Sequence, residues 1–433
     1  MTSPSSQTSS PACGIVTAAA TLPDEVLSLI LLDVVEPELA DWIDLINRRK
    51  CVGSVSRQWR NVTTGLSVLW SRLYLAPAVL PEFLRECLQK AGPTADLYIY
   101  INPNPFPAIY DDGFLREVKV LPFEDFMTKS VDLLRGEFSR VRCLKVIDGE
   151  HGELYKIMGS VSRFDARRLK GLDVSSRKLS RGAEAQLPVG MHLDELSISA
   201  VYPLWTARAW YDGLTKLGLH DLFDLEWDRL REVLDGNNTL RELQLSDVFC
   251  IGYPGNLAAV LPNVARLRLD YHWRGDQDKS FLALVQLPAL DYLDVAVGGS
   301  AAVQGVARDM AAFLRAATEV WIDGYNFTDR GLAGVVSSCI NAQRLNLRRC
   351  RPLPYDALRG LTELPTASLP ELRVLKITGY LSVEEARLLF RPPFNAALVI
   401  SECVIGGEVD FREWTLLNGT IQSRPVEDTP DGR

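Results

Sequence analysis

The chain has 433 residues, enough for two or three domains and a large core, and 47% of them are hydrophobic against 24% charged, an ordinary globular balance. The formal net charge of −8 argues against a nucleic-acid partner, because phosphate recognition needs clustered positive charge. No apolar run reaches membrane-spanning length, and eight cysteines at scattered spacings read as reduced thiols, not as a disulfide framework.

Residues 1–20 lack the basic start of a signal peptide and read as a disordered tail. Without a secretory signal the sequons at Asn61, Asn237, Asn326 and Asn418 carry no meaning, so the expected compartments are cytoplasm and nucleus. Residues 21–76 then form a small helical domain. Leu22, Val26, Leu27, Ile30 and Leu31 recur at helical spacing, with Pro23 in the first turn and Asp24 and Glu25 at the positive end of the dipole. Val52, Val55, Trp59 and Val62 make a second stripe, and Trp70 follows a leucine-rich approach. About fifty residues cannot bury so much apolar surface alone, so the stripe predicts either a partner or a helical cap on the rest of the chain.

These segments, LP-x-E-V-L-x-x-I, V-x-R-x-W-R and L-x-x-LW, resemble the F-box family, and in particular its fungal branch. There an acidic insertion, here VVEPELADWIDLINRRK with its own Trp42, separates the first two helices. The resemblance implies docking on a Skp-type adaptor and, through it, a cullin–RING ubiquitin ligase. Carried over position by position, the docking residues are Leu22, Pro23, Val26, Leu27, Ile30, Val52, Val55, Trp59 and Trp70.

Residues 77–136 read as the entry unit of the solenoid that follows: LPEFLRECLQKAG as a helix, DLYIYI as a strand, a Pro-rich loop, and a helix over 123–135. From 137 to 410 the chain is periodic. LPNVARLRL from Leu261, LPALDYLDV from Leu287 and LPELRVLKI from Leu369 superimpose. Their L-x-L pairs extend to a column at Leu144, Leu172, Leu196, Leu217, Leu243, Leu267, Leu293, Val320, Leu345, Leu375 and Leu398. The mean interval is about 25 residues, inside the leucine-rich-repeat range. The expected fold is therefore α/β: a small all-α domain followed by a solenoid with parallel strands on its concave face. Helical stripes at Val303, Val306, Met310, Phe313 and Leu314, a Thr328 cap and a Ser382–Glu385 capping box supply the returns. Cys350 and Cys403 fall in the Asn/Cys slot of the repeat. Residues 411–433 read as a polar tail.

In each L-x-L the leucines point inward and the middle residue outward. The outward set includes Arg268, Asp294, Trp321, Asn346 and Lys376. The preceding position gives Glu195, Lys216, Glu242, Arg266, Tyr292, Glu319 and Arg344, whose alternating charge is broken only by Tyr292. Such a ladder keeps a sheet soluble. It also offers a substrate-facing surface, for which Arg268, Tyr292, Trp321, Arg344 and Lys376 are the candidates. Arg348, Arg349 and Arg351 read as a basic patch after a strand, a solvated loop ahead of a receiver for a phosphorylated motif, the Trp205, Trp210, Tyr211 and Trp227 group as packing, and His220 and His272 as residues following strands.

No phosphate loop, nucleophile elbow or zinc helix motif occurs, and no catalytic, metal or cofactor residue is expected. The leading expectation is a non-catalytic substrate adaptor of a Skp–cullin–F-box ligase, which binds an unknown target protein with its repeats. Two alternatives stand beside it: a non-degradative scaffold, and a plain repeat protein whose helices only cap the solenoid. A hydrolase with a low-pKa cysteine is a distant fourth.

Overall fold

The computed structural model describes residues 22–35, 51–77, 79, 81–103, 110–111, 114–115, 121–147, 153–161, 166–180, 191–201, 211–251, 259–272, 285–298, 310–324, 329–349, 371–381, 397–405, 408–410, 412–417 and 420–425. The chain divides into two compact units at Leu144 and Lys145.

In the first unit, helix α1 (Asp24–Val35) is followed by a helical segment at 51–55 and by α2 (Arg57–Gly65). Ser56 starts α2 because its extended backbone lets Oγ accept the Trp59 amide at 3.2 Å. Gln58 ties the two helices together, its Nε2 donating to the Leu22 carbonyl at 2.9 Å and to Asp24 Oδ1 at 2.7 Å. A single turn, α3 (Ser67–Trp70), then leads into a strand, β1 (Arg72–Leu75), which pairs in parallel with β2 (Leu97–Ile101). The helical domain expected over 21–76 thus ends at Trp70. The alternation of Arg72-Leu73-Tyr74-Leu75 suits a strand, and Leu73 and Leu75 are buried.

Helix α4 (Pro81–Ala91) and helix α5 (Phe123–Arg135) lie where the apolar spacing puts them. Arg140 joins the segments, donating to Glu137 Oε2 at 2.6 Å and to the carbonyls of Gly92 and Ala95 at 2.6 and 2.8 Å. Its side chain is buried, yet every one of these partners is an acceptor, which is what a buried guanidinium requires. The strand β3 (Val141–Ile147) begins at the end of this unit.

The second unit is a parallel ladder with one strand per repeat. Its strands are β4 (Gly171–Ser180), β5 (Glu195–Val201), β6 (Lys216–Glu226), β7 (Glu242–Ile251), β8 (Arg266–His272), β9 (Tyr292–Gly298), β10 (Glu319–Gly324), β11 (Arg344–Arg348), β12 (Val374–Leu381) and β13 (Ala397–Ile405). They are hydrogen-bonded in chain order, with Leu196, Leu217, Leu243, Leu267, Leu293, Val320, Leu345, Leu375 and Leu398 directly in register. The repeat column read from the sequence is therefore one physical row of the sheet.

From Leu172 to Ile377, no side chain at the two inward positions of these strands exceeds 5% exposure. The apolar residue three places earlier (Leu193, Leu214, Leu240, Val264, Leu290, Ala317, Ala342) is buried as well. Burying each large aliphatic contributes about 1.5–3 kcal/mol, so stacking supplies what no single repeat could. Strands β5 to β12 begin in the same way: one carbonyl accepts two successive amides of the next repeat. The Asp291 carbonyl takes Thr318 and Glu319 at 2.9 and 3.0 Å, and the Thr318 carbonyl takes Gln343 and Arg344 at 2.7 and 3.1 Å. Helices α6 (Glu153–Val161), α7 (Trp227–Gly236), α8 (Ala311–Ala316) and α9 (Asp329–Ser338) fill returns.

The C-terminal end departs from the expected polar tail. Strands β14 (Glu408–Asp410) and β15 (Arg412–Leu417) both pair antiparallel with β13, and β16 (Thr420–Pro425) pairs antiparallel with β15. Trp414 stands opposite Ile400 and Leu416 opposite Leu398, so a two-residue alternation hidden among polar neighbours continues the sheet. The insertion with Trp42, the residues Val303, Val306, Thr328, Ser382, Glu385 and Cys350, and the side chain of Cys403 lie outside the described residues. Among those described, no helix is long and apolar enough to cross a membrane.

Candidate functional site

The docking stripe expected on the N-terminal helices divides in two. Leu27, Val52 and Trp70 are buried inside their own unit, so they hold the fold and are not surface. Trp70 is fixed on two sides: Nε1 donates to the Thr63 carbonyl at 2.8 Å, and Lys90 Nζ lies 4.0 Å from the ring centroid. Pro23, Val26 and Val55 are exposed, and Leu22, Ile30 and Trp59 are half-buried. Leu29, which the helical spacing passed over, is exposed as fully as 68%. It lies three residues from Val26 and so shares its helix face.

The outward face of the ladder carries the richer arrangement. Cross-strand register places Arg266, Tyr292, Glu319 and Arg344 side by side in one row, and Arg268, Asp294, Trp321, Asn346 and Lys376 in the next. All five candidate residues therefore meet within five adjacent strands. Tyr292 and Trp321 form a tilted pair with ring centroids 6.4 Å apart. Each ring bears a guanidinium: Arg266 lies 4.7 Å from the Tyr292 centroid and Arg348 lies 3.9 Å from that of Trp321. Glu319 sets the indole orientation by accepting Trp321 Nε1 at 2.7 Å, and Arg344 approaches the same carboxylate at 4.0 Å. Arg268 pairs with Asp294 at 3.6 Å.

The electrostatics follow from partial burial. Loss of solvent raises the Tyr292 phenol to about 12, with Asp294 and Glu319 adding to the rise. Burial also raises the Asp294 carboxyl, against the opposing pull of Arg268 and Arg348. Sequence reasoning treated Arg348 and Arg349 as loop residues. Arg348 ends β11 and covers Trp321, and Arg349 pairs with Asp323, while Arg351 lies outside the described residues. The missed signal was the two-residue step from Asn346 to Arg348, which puts both on the outward side.

His220 needs a similar correction, because it lies inside β6, where it was expected to follow a strand. Gly218 makes room for it: a Cβ there would come within 3.0 Å of His220 Nε2 and 3.3 Å of Ser197 Oγ. Burial lowers the imidazole below its usual value, against Asp173 and Asp221 and with help from Arg268. His272 closes β8 as its last residue. Tyr211 and Trp227 are buried, as packing requires, and Trp205 and Trp210 lie outside the described residues. Burial pushes the Cys250 and Cys339 thiols to about 12, which makes them poor nucleophiles.

No family model matches the chain, and no curated protein matches it. Among solved structures it is similar to the leucine-rich repeat-containing protein LegL7 from Legionella pneumophila, at 13% identity over 65% of this chain and 88% of that one, with a TM-score of 0.33. A protein from Bacteroides fragilis is similar at 12% identity over 61% of this chain and 66% of that one, with a TM-score of 0.31. This chain thus spans just under two thirds of the Bacteroides protein. At those scores the likeness carries no functional argument, and the leucine-rich ladder stands on this chain's own register.

Proposed function

We propose that this chain is a non-catalytic recognition adaptor that holds a target protein on the outward face of its leucine-rich ladder. The observation that carries this reading is the Tyr292–Trp321 pair, half-buried and braced by Arg266, Arg348 and Glu319 at the centre of the sheet. Aromatic and arginine side chains dominate the energy of protein interfaces, and rings already held in place lose little entropy on binding.

The finer form of the proposal makes the chain the substrate subunit of a Skp–cullin–F-box ubiquitin ligase in the cytoplasm or nucleus. It is supported by the resemblance of residues 22–70 to the F-box pattern and by the exposed Val26, Leu29 and Val55. Tethering alone would then speed ubiquitin transfer, by raising the effective concentration of target lysines at a separately recruited conjugating enzyme. Co-purification of the whole chain with a Skp-type adaptor and cullin tests this. Wild type should retain both, and V26D/V55D should lose both. Retention of the adaptor without cullin would favour a non-degradative scaffold. Retention of neither by wild type would leave a repeat protein whose N-terminal helices serve the fold alone.

A further inference from the structure

The ladder's ion pairs are layered, and the layering indicates what the face recognises. Across the outward face, Arg268 pairs with Asp294, Arg344 with Glu319 and Arg349 with Asp323, and the side-chain exposures are 63% against 12%, 64% against 28% and 49% against 12%. Lys216–Glu242 and Lys145–Asp173 show the same order at smaller differences. In every one the cation is outermost and the carboxylate recessed. The physical cause is length: a lysine or arginine stem carries its charge past a shorter Asp or Glu on the neighbouring strand. The order reverses at the strand entrance, where Lys170 is the less exposed member of its pair with Asp194, 38% against 49%.

We propose that the face from Arg266 to Lys376 binds an acidic segment of a partner protein, with an apolar or aromatic side chain of that segment resting on Tyr292 and Trp321. The inference rests on the protein-binding reading above and narrows its partner class. Exposed guanidinium groups at Arg268 and Arg344 flank the two rings, so an incoming carboxylate meets donors on either side of an apolar platform. The recessed carboxylates are already engaged by those arginines and by the Trp321 indole, which leaves the outermost charge positive. The chain as a whole carries −8, so attraction is confined to about one Debye length, roughly 8 Å at physiological salt. Recognition is therefore local, with little long-range steering and an affinity that falls as salt rises.

The test uses the full chain, immobilised, and a random twelve-residue peptide library displayed on phage, with W321A as the subtraction control. Enriched peptides are then synthesised and titrated against wild type, R268Q/R344Q and R85Q/R135Q. The last variant removes the same charge from exposed arginines of the first unit. The expected result is a set of Trp321-dependent peptides rich in Asp and Glu, bound at least tenfold more weakly by R268Q/R344Q and unchanged by R85Q/R135Q. Trp321-dependent peptides that are neutral or basic would overturn the acidic assignment and leave the protein-binding reading intact. Equal weakening by both arginine variants would overturn it as a general charge effect. If no peptide depends on Trp321, both the inference and the reading beneath it fail. Far-UV circular dichroism of each variant separates lost binding from lost folding.

Discussion

Arg349 Nε lies 2.8 Å from Oδ1 and 3.1 Å from Oδ2 of Asp323, a residue 26 positions earlier on the neighbouring strand, and a second guanidinium nitrogen closes on Oδ2. Arg349 reaches it from a left-handed backbone, at φ 49°. The relationship repeats: Asp221, at φ 52°, accepts the Ser199 hydroxyl at 3.2 Å from the strand before it. In both cases the left-handed residue stands four places after the first inward apolar residue of its strand. Its partner stands three places after the same point in the preceding repeat. Ala200 and Asp247 take positive φ at that same position. The left-handed residue at this position is thus a property of the repeat, and at Arg349 and Asp221 its side chain reaches back by one strand.

Replacing Arg349 separates the two components. R349A removes the ion pair but keeps the left-handed strain, leaving the recessed Asp323 carboxylate without its fork, for a loss of about 1 kcal/mol after discounting for the half-exposed guanidinium. R349G relieves the strain and should be the more stable of the two, because glycine adopts positive φ freely. Urea midpoints of both variants check the order; R349G falling below R349A would refute the strain account.

Gly218 and His220 should couple. G218A forces the imidazole off the strand and is expected to cost about 1 kcal/mol, since a Cβ at 3.0 Å from Nε2 makes the ring give way. In an H220A background the same substitution should cost less by at least about 0.5 kcal/mol. A double-mutant cycle in urea measures the difference, and strict additivity would show that the ring does not rest on Gly218.

His220 also sets a pH dependence. Burial lowers its folded-state affinity for protons below that of the unfolded chain, whose value is near 6.5. The unfolded state therefore binds more protons in acid, and stability falls as pH drops through and below about 6.5 toward the folded value. Above that window the contribution is fully present. Asp294 acts in the opposite sense at lower pH, because its raised carboxyl favours the protonated folded form. H220Q should flatten the stability profile between about pH 7 and 5 while leaving the Asp294 contribution. An unchanged slope would mean that His220 titrates as an exposed imidazole.

The two tryptophans of the N-terminal helices are not equivalent. W70A empties a buried site and orphans the Thr63 carbonyl, so a loss of about 3–5 kcal/mol and unfolding of the first unit are expected. It cannot then serve as a docking variant. V55D, on a residue 52% exposed, should leave the thermal transition within about 1 kcal/mol of wild type. Circular dichroism melts of both variants decide this. A W70A chain as stable as wild type would place the ring outside the core.

Period and register were legible from Leu172 to Leu398, because a two-residue alternation recurring about every 25 residues leaves one way to stack strands with apolar residues inward. That same alternation puts Arg268, Tyr292, Trp321, Arg344 and Lys376 on one face. It did not separate exposed from buried positions on the N-terminal helices. Val52 and Val55 satisfy the same apolar spacing, yet Val52 is buried and Val55 is solvent-facing. Spacing reports the helix face, and burial depends on what else packs there.

By itself, then, the amino-acid order determined the repeat, its strand register and the residue types that line its outward face, since these follow from local periodicity. Tertiary structure alone decided that Arg348 lies over Trp321, that Arg349 grips Asp323 and that the arginines stand proud of their carboxylates. It alone also made residues 412–417 and 420–425 strands and not a tail. The reason is range: period acts between neighbours in sequence, whereas pairing and exposure are fixed between chains of atoms some 25 residues apart, brought together only when the repeats stack.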